Sequence, residues 1–289
     1  MSETAAHEPA TPATVDDEFI EVLDEGQDER RRLWLELGLT LAAVIVALLL
    51  WDFLASLTSP LVLPGPRNVG KIIWEVTASG SIFKHIGTTV SEILLGFLLG
   101  SAIGLGVGIT LAWSPLLRRL ANPYLVASQA VPKLALAPMF TLWLGYGIAS
   151  KIVIAALIAF FPLLENTVVG LCAVEREKLM LFRSLLASEF QTFTKLRLPH
   201  ARPYIFAGLR MAMLFATVGA IVGEYVGADV GLGALIIVSD GTLNTTLMFG
   251  VLVILTVVGI ALYKLVQWSE GLFQRRGILA RARKTRSPR

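Results

Sequence analysis

Long apolar stretches separated by short polar segments dominate this chain. Each contains few ionisable residues, and they cover residues 34–57, 87–112, 122–144, 150–172, 204–226 and 246–268. A hydrocarbon core of about 30 Å requires roughly 20 predominantly apolar residues per helix, and every stretch meets that length. The pattern predicts an all-α polytopic membrane protein with about six transmembrane helices.

The third stretch is the least regular of the six because it contains Pro132 and Pro138. Proline removes a backbone donor, and lipid cannot satisfy the carbonyl that this frees. We therefore expect this helix to lie inside a bundle rather than against lipid.

The distribution of Lys and Arg predicts the orientation. With a cytoplasmic amino terminus, 18 of these residues lie on the inner side and four on the outer side, namely Arg67, Lys71, Lys84 and Lys151. Such an excess follows the positive-inside rule. We expect both termini and the 173–203 loop to be cytoplasmic, in a multi-pass protein of the cell membrane.

Composition divides the chain into a membrane domain and two tails. Residues 1–29 contain ten acids and no Lys or Arg, and they predict a disordered acidic cytoplasmic tail. The membrane domain then covers 30–276, and 277–289 form a basic cytoplasmic tail. The chain is 55% hydrophobic and only 16% charged, whereas soluble domains carry roughly a quarter charged residues.

Composition also excludes some classes of function. The basic residues flank apolar stretches, so membrane topology explains them and nucleic acid does not. Cys172 is the single cysteine, which excludes an intramolecular disulfide and a cysteine metal site. The chain has no P-loop, HExxH or nucleophile-elbow pattern. If ATP powers this protein, another chain must bind it.

A stripe of glycines runs along the second stretch at four-residue steps, at Gly96, Gly100, Gly104 and Gly108. This spacing produces a smooth helix face that another backbone can approach closely. The stripe indicates either a helix packed tightly within the chain or a face where two subunits meet.

Residues 173–203, between the fourth and fifth stretches, are too polar to span a membrane. Leu181 and Leu185 fall on one helical face, and Phe182, Leu186 and Phe190 fall on another. The pattern predicts a partly apolar helix over 176–190, followed by Pro199 and Pro203. A helix of this kind, presented to the cytoplasm, is typical of a docking element.

The segment resembles the EAA loop of ABC importer permeases, whose hydrophobic–Leu–Pro ending matches Leu198-Pro199. Three more stretches resemble the nitrate, sulfonate and taurine branch of that family: VPKLALAPMFTLWLGYGIASK, FFPLLENTVVGL and GEYVGADVGLGALI. With LPGPRNV at 63–69, the resemblance covers about residues 60–270.

The resemblance implies the fold and the partners of a type I ABC importer permease. The expected partners are a second permease copy in a homodimer, two cytoplasmic ATPase subunits that bind ATP and Mg, and an extracytoplasmic substrate-binding protein. It implies a small solute, either a nitrate-, sulfonate- or taurine-like anion or a compact heterocycle. The residues expected to couple to the ATPase are Phe182, Arg183, Leu185, Leu186, Ala187, Ser188 and Phe190.

The sequence departs from the family pattern within this loop. The EAA positions read Met180-Leu181-Phe182, and Leu186 occupies the position of the family's glycine. That glycine permits a tight backbone turn, so the sequence leaves the geometry of this turn open.

Ionisable residues within the apolar stretches are hypotheses of function because they are unfavourable at that depth. Lys133 and Glu165 fall at similar predicted depths, and two interpretations stay open. They form an ion pair that fixes helix contacts, or Lys133 lines a substrate path that favours anions, together with Gln129, Glu165 and Asn166. Glu92 and Glu224 lie near the outer ends of their predicted spans. They are gate residues, interface residues or simply solvated side chains.

Two other classes of function compete with the importer. One is an ATP-independent secondary carrier that uses Lys133, Glu165 and Glu224 as an ion relay. The other is an intramembrane enzyme, for which the stretches offer no convincing catalytic pair. We therefore expect a transport subunit without an ATPase site, a cofactor or a metal of its own.

Overall fold

The computed structural model describes the backbone of residues 15–285 and the side chains of residues 34–272. All regular structure in these residues is helical, and it falls into two units, Met1–Ser59 and Pro60–Arg289. The first unit contains α1 (Val15–Ser56), which is apolar over Trp34–Ser56. The predicted tail boundaries, 29/30 and 276/277, fall inside the helices Val15–Ser56 and Thr245–Thr285. Residues 1–14 and 286–289 lie outside the described part, and the two tails stay predictions.

The second unit contains ten helices within its described residues. They are α2 (Pro66–Ala78), α3 (Ser81–Trp113), α4 (Pro115–Ala130), α5 (Ala137–Leu144), α6 (Ile148–Cys172), α7 (Arg176–Ser184), α8 (Glu189–Thr192), α9 (Leu198–Tyr225), α10 (Leu232–Gly241) and α11 (Thr245–Thr285). A 3-10 turn (Lys133–Leu136) precedes α5, and a π-helical turn (Phe193–Arg197) precedes α9.

Five described helices are long and apolar enough to cross a membrane: the apolar part of α1, then α3, α6, α11, and α9 with the segment before it. A sixth span results if the bent pair of α4 and 133–144 counts as one. This confirms the predicted all-α polytopic fold. The predicted third span over 122–144, which Pro132 and Pro138 interrupt, is not one straight helix, since the two parts of the pair differ in direction by 77°.

Prolines account for this bend. Pro132 lies in the extended break after Ala130 and has no N–H to donate into a helix. Pro138 falls in the first turn of α5, where the missing N–H has no intrahelical partner in any case. The chain therefore stops one helix and starts another in the middle of the predicted span.

The centre of the second unit is α6, which packs between α3 and α9. Small residues allow this close packing: a Cβ added to Gly104 would lie 2.7 Å from the Phe160 carbonyl oxygen, and one on Gly108 would lie 2.8 Å from the Thr167 Cβ. The glycine stripe therefore faces α6 of the same chain. Tight internal packing is confirmed, and the interpretation of the stripe as a subunit contact is wrong.

Two helices, α2 and α10, lie in segments that the six predicted spans leave as connections. The apolar residues Val69, Ile73 and Val76 recur on α2 at helical spacing, a signal that could have identified it. The short α10 buries Leu232 and Ile236 against α3 and α11. Both helices belong to the apolar cluster formed with Ile82 and Val251.

Candidate translocation path and coupling surface

The segment between α6 and α9 is two short helices joined by a tight turn. Leu186 has a φ of 52°, in the left-handed region, which ends α7. The Ser188 hydroxyl accepts from the Gln191 N–H, and the Gln191 side chain accepts from the Ser188 N–H, which starts α8. The predicted single helix over 176–190 is therefore wrong, because one helix ends at Ser184, Leu186 is left-handed, and a second helix begins at Glu189.

This arrangement exposes most of the predicted coupling residues. Leu185 and Phe190 are each 68% exposed and Leu186 is 92% exposed, and Arg183 and Ser188 are exposed beside them. We call residues 185–190 the coupling turn. Phe182 and Ala187 are half-buried and are the least exposed of the predicted coupling residues, so their role in coupling stays a prediction.

The base of the coupling segment packs against the membrane helices. The rings of Trp113, at the end of α3, and Phe193 lie 5.1 Å apart, and Ala201 of α9 is buried with Leu171 of α6. Pro199 and Pro203 both lie inside α9 rather than before it. A force on the coupling turn would therefore reach the ends of α3, α6 and α9 directly.

The predicted path residues lie at the bend between α4 and α5 and on the facing part of α6. Gln129 Nε2 donates to Glu165 Oε1 at 2.6 Å, and both side chains are exposed. Lys133 Nζ lies 4.3 Å from the centroid of the Phe161 ring, an arrangement that favours a cation. The proposed Lys133–Glu165 ion pair is therefore wrong: Glu165 bonds to Gln129 and Lys133 lies over Phe161.

Asn166 is not part of this polar group. Its Nδ2 donates to the Pro162 carbonyl one turn earlier in α6, at 2.8 Å. A Cβ added to Gly208 of α9 would lie 2.8 Å from the Asn166 Cβ, so the Asn166 side chain leaves α6 on the side that packs against α9. The structure thus brings Gln129, Lys133 and Glu165 to one surface and leaves Asn166 at the contact between two helices.

A second polar group is buried near the other end of α6. Lys151 Nζ lies 3.6 Å from Glu92 Oε1, and both side chains are over 90% buried. Glu224 is also buried, and its Oε1 accepts from the Thr89 hydroxyl at 2.6 Å. The two Glu92 oxygens accept no hydrogen bond from any residue that the structure describes. The Glu224 side chain also interacts with Glu92, so Lys151 is the cation of a buried group that contains two acidic side chains.

The same group holds the start of α10 in place. Four successive backbone N–H groups donate to side chains of other helices: Gly231 to His85, Leu232 to Thr89, and Gly233 and Ala234 to Glu224. The first N–H groups of a helix need such partners. Gly231 has a φ of 145°, and a side chain there would collide with the Glu224 carboxylate. Residues of α3 and α9 thus cap α10.

This buried group corrects several expectations. Lys151 belongs to α6 and is buried, so it is part of the helix bundle rather than of a flanking loop, and its place on the outer side stays a prediction. Glu92 and Glu224 are not solvated. The sequence held one signal, since Lys151 falls within the predicted span 150–172, but nothing indicated its partner on α3.

The proposed ion relay is not assembled in this chain. Glu165 and Lys151 are separated by 14 positions on α6, about 21 Å at 1.5 Å per residue. Glu224 lies with Lys151, and Glu165 lies with Gln129. The described residues also contain no group of three or more His, Cys, Asp or Glu that could hold a metal ion.

Comparison with known proteins agrees with this architecture. Residues 100–277 match the family described as binding-protein-dependent transport system inner membrane component. The chain is 38% identical over 244 residues to the riboflavin transport system permease protein RibX of Chloroflexus aurantiacus, covering 84% of this chain and 91% of the relative. It is 35% identical to the putative aliphatic sulfonates transport permease protein SsuC of Bacillus subtilis, covering 80% and 83%.

A solved structure shares the fold. The inward-facing MetNI methionine ABC transporter matches with a TM-score of 0.56 at 21% identity, covering 68% of this chain and 95% of the solved one. The family match covers more than half of the chain, and the relatives align along most of their length. The chain therefore belongs to the binding-protein-dependent inner membrane permeases, and it is the membrane-spanning permease subunit of an ABC importer.

Proposed function

We propose that two copies of this subunit form a homodimer that imports a small solute with an anionic group. Two separate ATPase subunits drive it by docking on the coupling turn, and an extracytoplasmic binding protein delivers the solute. The exposed apolar coupling turn is the observation that carries this proposal. ATP and Mg bind to the partner subunits, and this chain performs no covalent chemistry.

The coupling turn supports docking on another protein rather than on lipid. Leu185 and Leu186 lie between two charged residues that are themselves exposed, Arg183 before them and Glu189 after them. Charged side chains are unfavourable inside hydrocarbon, so this surface belongs in water. A few apolar anchors surrounded by polar groups are typical of a protein interface.

The polar surface at the α4–α5 bend supports a second permease copy. The Gln129 amide and the Glu165 carboxylate are exposed on the subunit, and α4 has no buried residue at all. Polar groups at membrane depth face a protein or a water-filled cavity rather than lipid. A second copy facing this surface would enclose a path lined by Gln129, Lys133 and Glu165.

Lys133 supports a substrate with an anionic group. Its ammonium is half-exposed beside Phe161 and has no carboxylate partner in the described residues. One relative is named for aliphatic sulfonates and another for riboflavin. Of these two classes of substrate, an ammonium without a carboxylate partner favours the sulfonate, because a sulfonate group is an anion.

A charge on the coupling turn tests the central claim. We expect Leu185→Asp to leave the permease in the membrane but to release the ATPase subunits on purification, with loss of substrate-stimulated ATP hydrolysis. The aspartate would be desolvated at the interface without a partner, at a cost of several kcal/mol. ATPase copurification and hydrolysis in detergent are the measurements.

Val238→Asp provides the matched control. Val238 is 58% exposed on α10, beyond the opposite end of α9, so this change should leave ATPase copurification intact. If Leu185→Asp transports normally, or if the wild-type chain transports alone in liposomes without ATP, the importer proposal is wrong.

A further inference from the structure

The turn that ends α7 is a Schellman motif with leucine in the position that glycine usually occupies. The Ala187 N–H donates to the Phe182 carbonyl at 3.0 Å, and the Leu186 N–H donates to the Arg183 carbonyl at 2.9 Å. This pattern requires a left-handed residue between the helix and its continuation, and Leu186 supplies it with a φ of 52°. A residue with a Cβ is strained in that conformation.

The Leu186 side chain compensates for none of this strain within the subunit. At 92% exposure, Leu186 is the most exposed of the large apolar residues that the structure describes. Its backbone conformation favours glycine and its environment favours a polar side chain. A backbone outlier of this kind is a reason to look for a function.

We propose that Leu186 is a specificity anchor that inserts into an apolar pocket on the ATPase subunit. This inference rests on the proposed function, since it requires the ATPase to dock on the coupling turn. Leu185 and Phe190 belong to the same coupling turn and are exposed with Leu186, so all three apolar side chains are available to one partner. An ATPase with a matching pocket would bind this permease more tightly than it binds one with glycine at this position.

The partner that receives Leu186 is the ATPase. Lipid and an extracytoplasmic protein are the two other candidates, and the surroundings of Leu186 exclude both. Exposed Arg183 and Glu189 keep the turn out of lipid. The 28 residues of α9 separate it from α10 by about 42 Å at 1.5 Å per residue, so an extracytoplasmic protein cannot reach it. The ATPase is the partner expected on this side.

The test replaces Leu186 with residues that accept the left-handed conformation but lack an apolar side chain. In Leu186→Gly and Leu186→Asn, the melting temperature of the isolated permease should not fall, because strain is removed. The affinity for the purified ATPase subunit, titrated against permease in nanodiscs, should fall roughly tenfold to a hundredfold, the loss expected when a leucine side chain is no longer buried.

The chain contains a matched control for this experiment. The end of α10 is the same motif, with Leu243 at a φ of 55°, 73% exposed, and the Asn244 N–H donating to the Ser239 carbonyl at 2.8 Å. Leu243→Gly relieves the same strain at the opposite end of α9. It should preserve stability in the same way and leave the ATPase affinity unchanged.

Three outcomes would each contradict a proposal, and together they separate the anchor role of Leu186 from the proposed function. If both Leu186 variants bind the ATPase as tightly as wild type while Leu185→Asp still releases it, the anchor is wrong and the proposed function stands. If the Leu186 variants melt at a lower temperature than wild type, the leucine stabilises the subunit itself and the anchor is again wrong. If Leu185→Asp also keeps the ATPase bound, the docking surface is wrong and the proposed function falls with it.

Discussion

The ion pair between Lys151 and Glu92 is closed off from solvent and joins α6 to α3. We expect Lys151→Met to destabilise the subunit by about 3–5 kcal/mol, because removing one partner leaves a buried carboxylate uncompensated. The measurement is the melting temperature of the purified permease in detergent. A double variant, Lys151→Met with Glu92→Gln, removes both charges and should recover most of the loss.

The surface pair Lys71–Glu75 is the control for this prediction. Its atoms are 3.9 Å apart, and its side chains are 78% and 53% exposed. Exposed pairs of this kind contribute about 0–1 kcal/mol, so Lys71→Met should change the melting temperature very little. If Lys71→Met and Lys151→Met lower the melting temperature equally, the prediction that the buried pair stabilises the subunit is wrong.

At the residue scale, the sequence indicated which residues are ionisable at depth but not how they pair. Lys133 and Glu165 have similar predicted depths, yet the bend at Pro132 turns Lys133 onto Phe161 and leaves Glu165 to Gln129. The predicted depth of a residue assumes a straight helix. It cannot predict which side chains pair when the helix breaks beside one of them, as it does beside Lys133. The pairing of Lys151 and Glu92 depends on the packing of α3 on α6, which no local pattern encodes.

At the element scale, length and apolar content predicted the membrane helices well because each span must satisfy its own backbone in lipid. Length and apolar content did not predict where a helix ends when local backbone geometry sets that end. Pro132 and Pro138 divide 122–144 into two helices, and a left-handed leucine that no propensity predicts divides 176–190. The short α10 was missed because its caps come from other helices.

Two exposed positions on different elements test the orientation of the bundle. In a Cys172→Ser background, Ser188→Cys on the coupling turn should react with an impermeant thiol reagent only after the membrane is opened. Thr242→Cys, exposed just after α10, should react in intact cells. The reason is that α9 crosses the membrane between them and the basic residues favour a cytoplasmic 173–203 loop.

Ser239 supplies the negative control, since it lies on α10 but is 99% buried; Ser239→Cys should stay unlabelled in intact cells. Labelling of Ser188→Cys from outside intact cells would reverse the orientation and with it the cytoplasmic position of both termini.

At the scale of the whole molecule, the proposed homodimer would enclose a path of which each subunit forms one side. We expect Lys133→Met to reduce ATP-driven uptake of radiolabelled taurine into proteoliposomes by tenfold or more, because the dimer loses both cations that face an anionic solute. Assembly should persist, since Lys133 has no buried carboxylate to leave unpaired. Lys133→Arg should retain most of the uptake.

Wild-type taurine uptake by Lys133→Met would exclude Lys133 from the path. If wild type transports riboflavin instead, and Lys133→Met transports it equally well, the substrate is a heterocycle and the anionic substrate class is wrong.

The capping of α10 by α3 and α9 sets an order for biosynthesis. During translation, α3 emerges first with Glu92 and Thr89, and α6 brings Lys151 to neutralise Glu92 before Glu224 enters the membrane with α9. The ribosome then releases α10, whose first four N–H groups find their acceptors already assembled. The cap of α10 therefore exists only once α3 and α9 are both in place, and the apolar cluster beneath α10 is complete only when α11 follows with Val251.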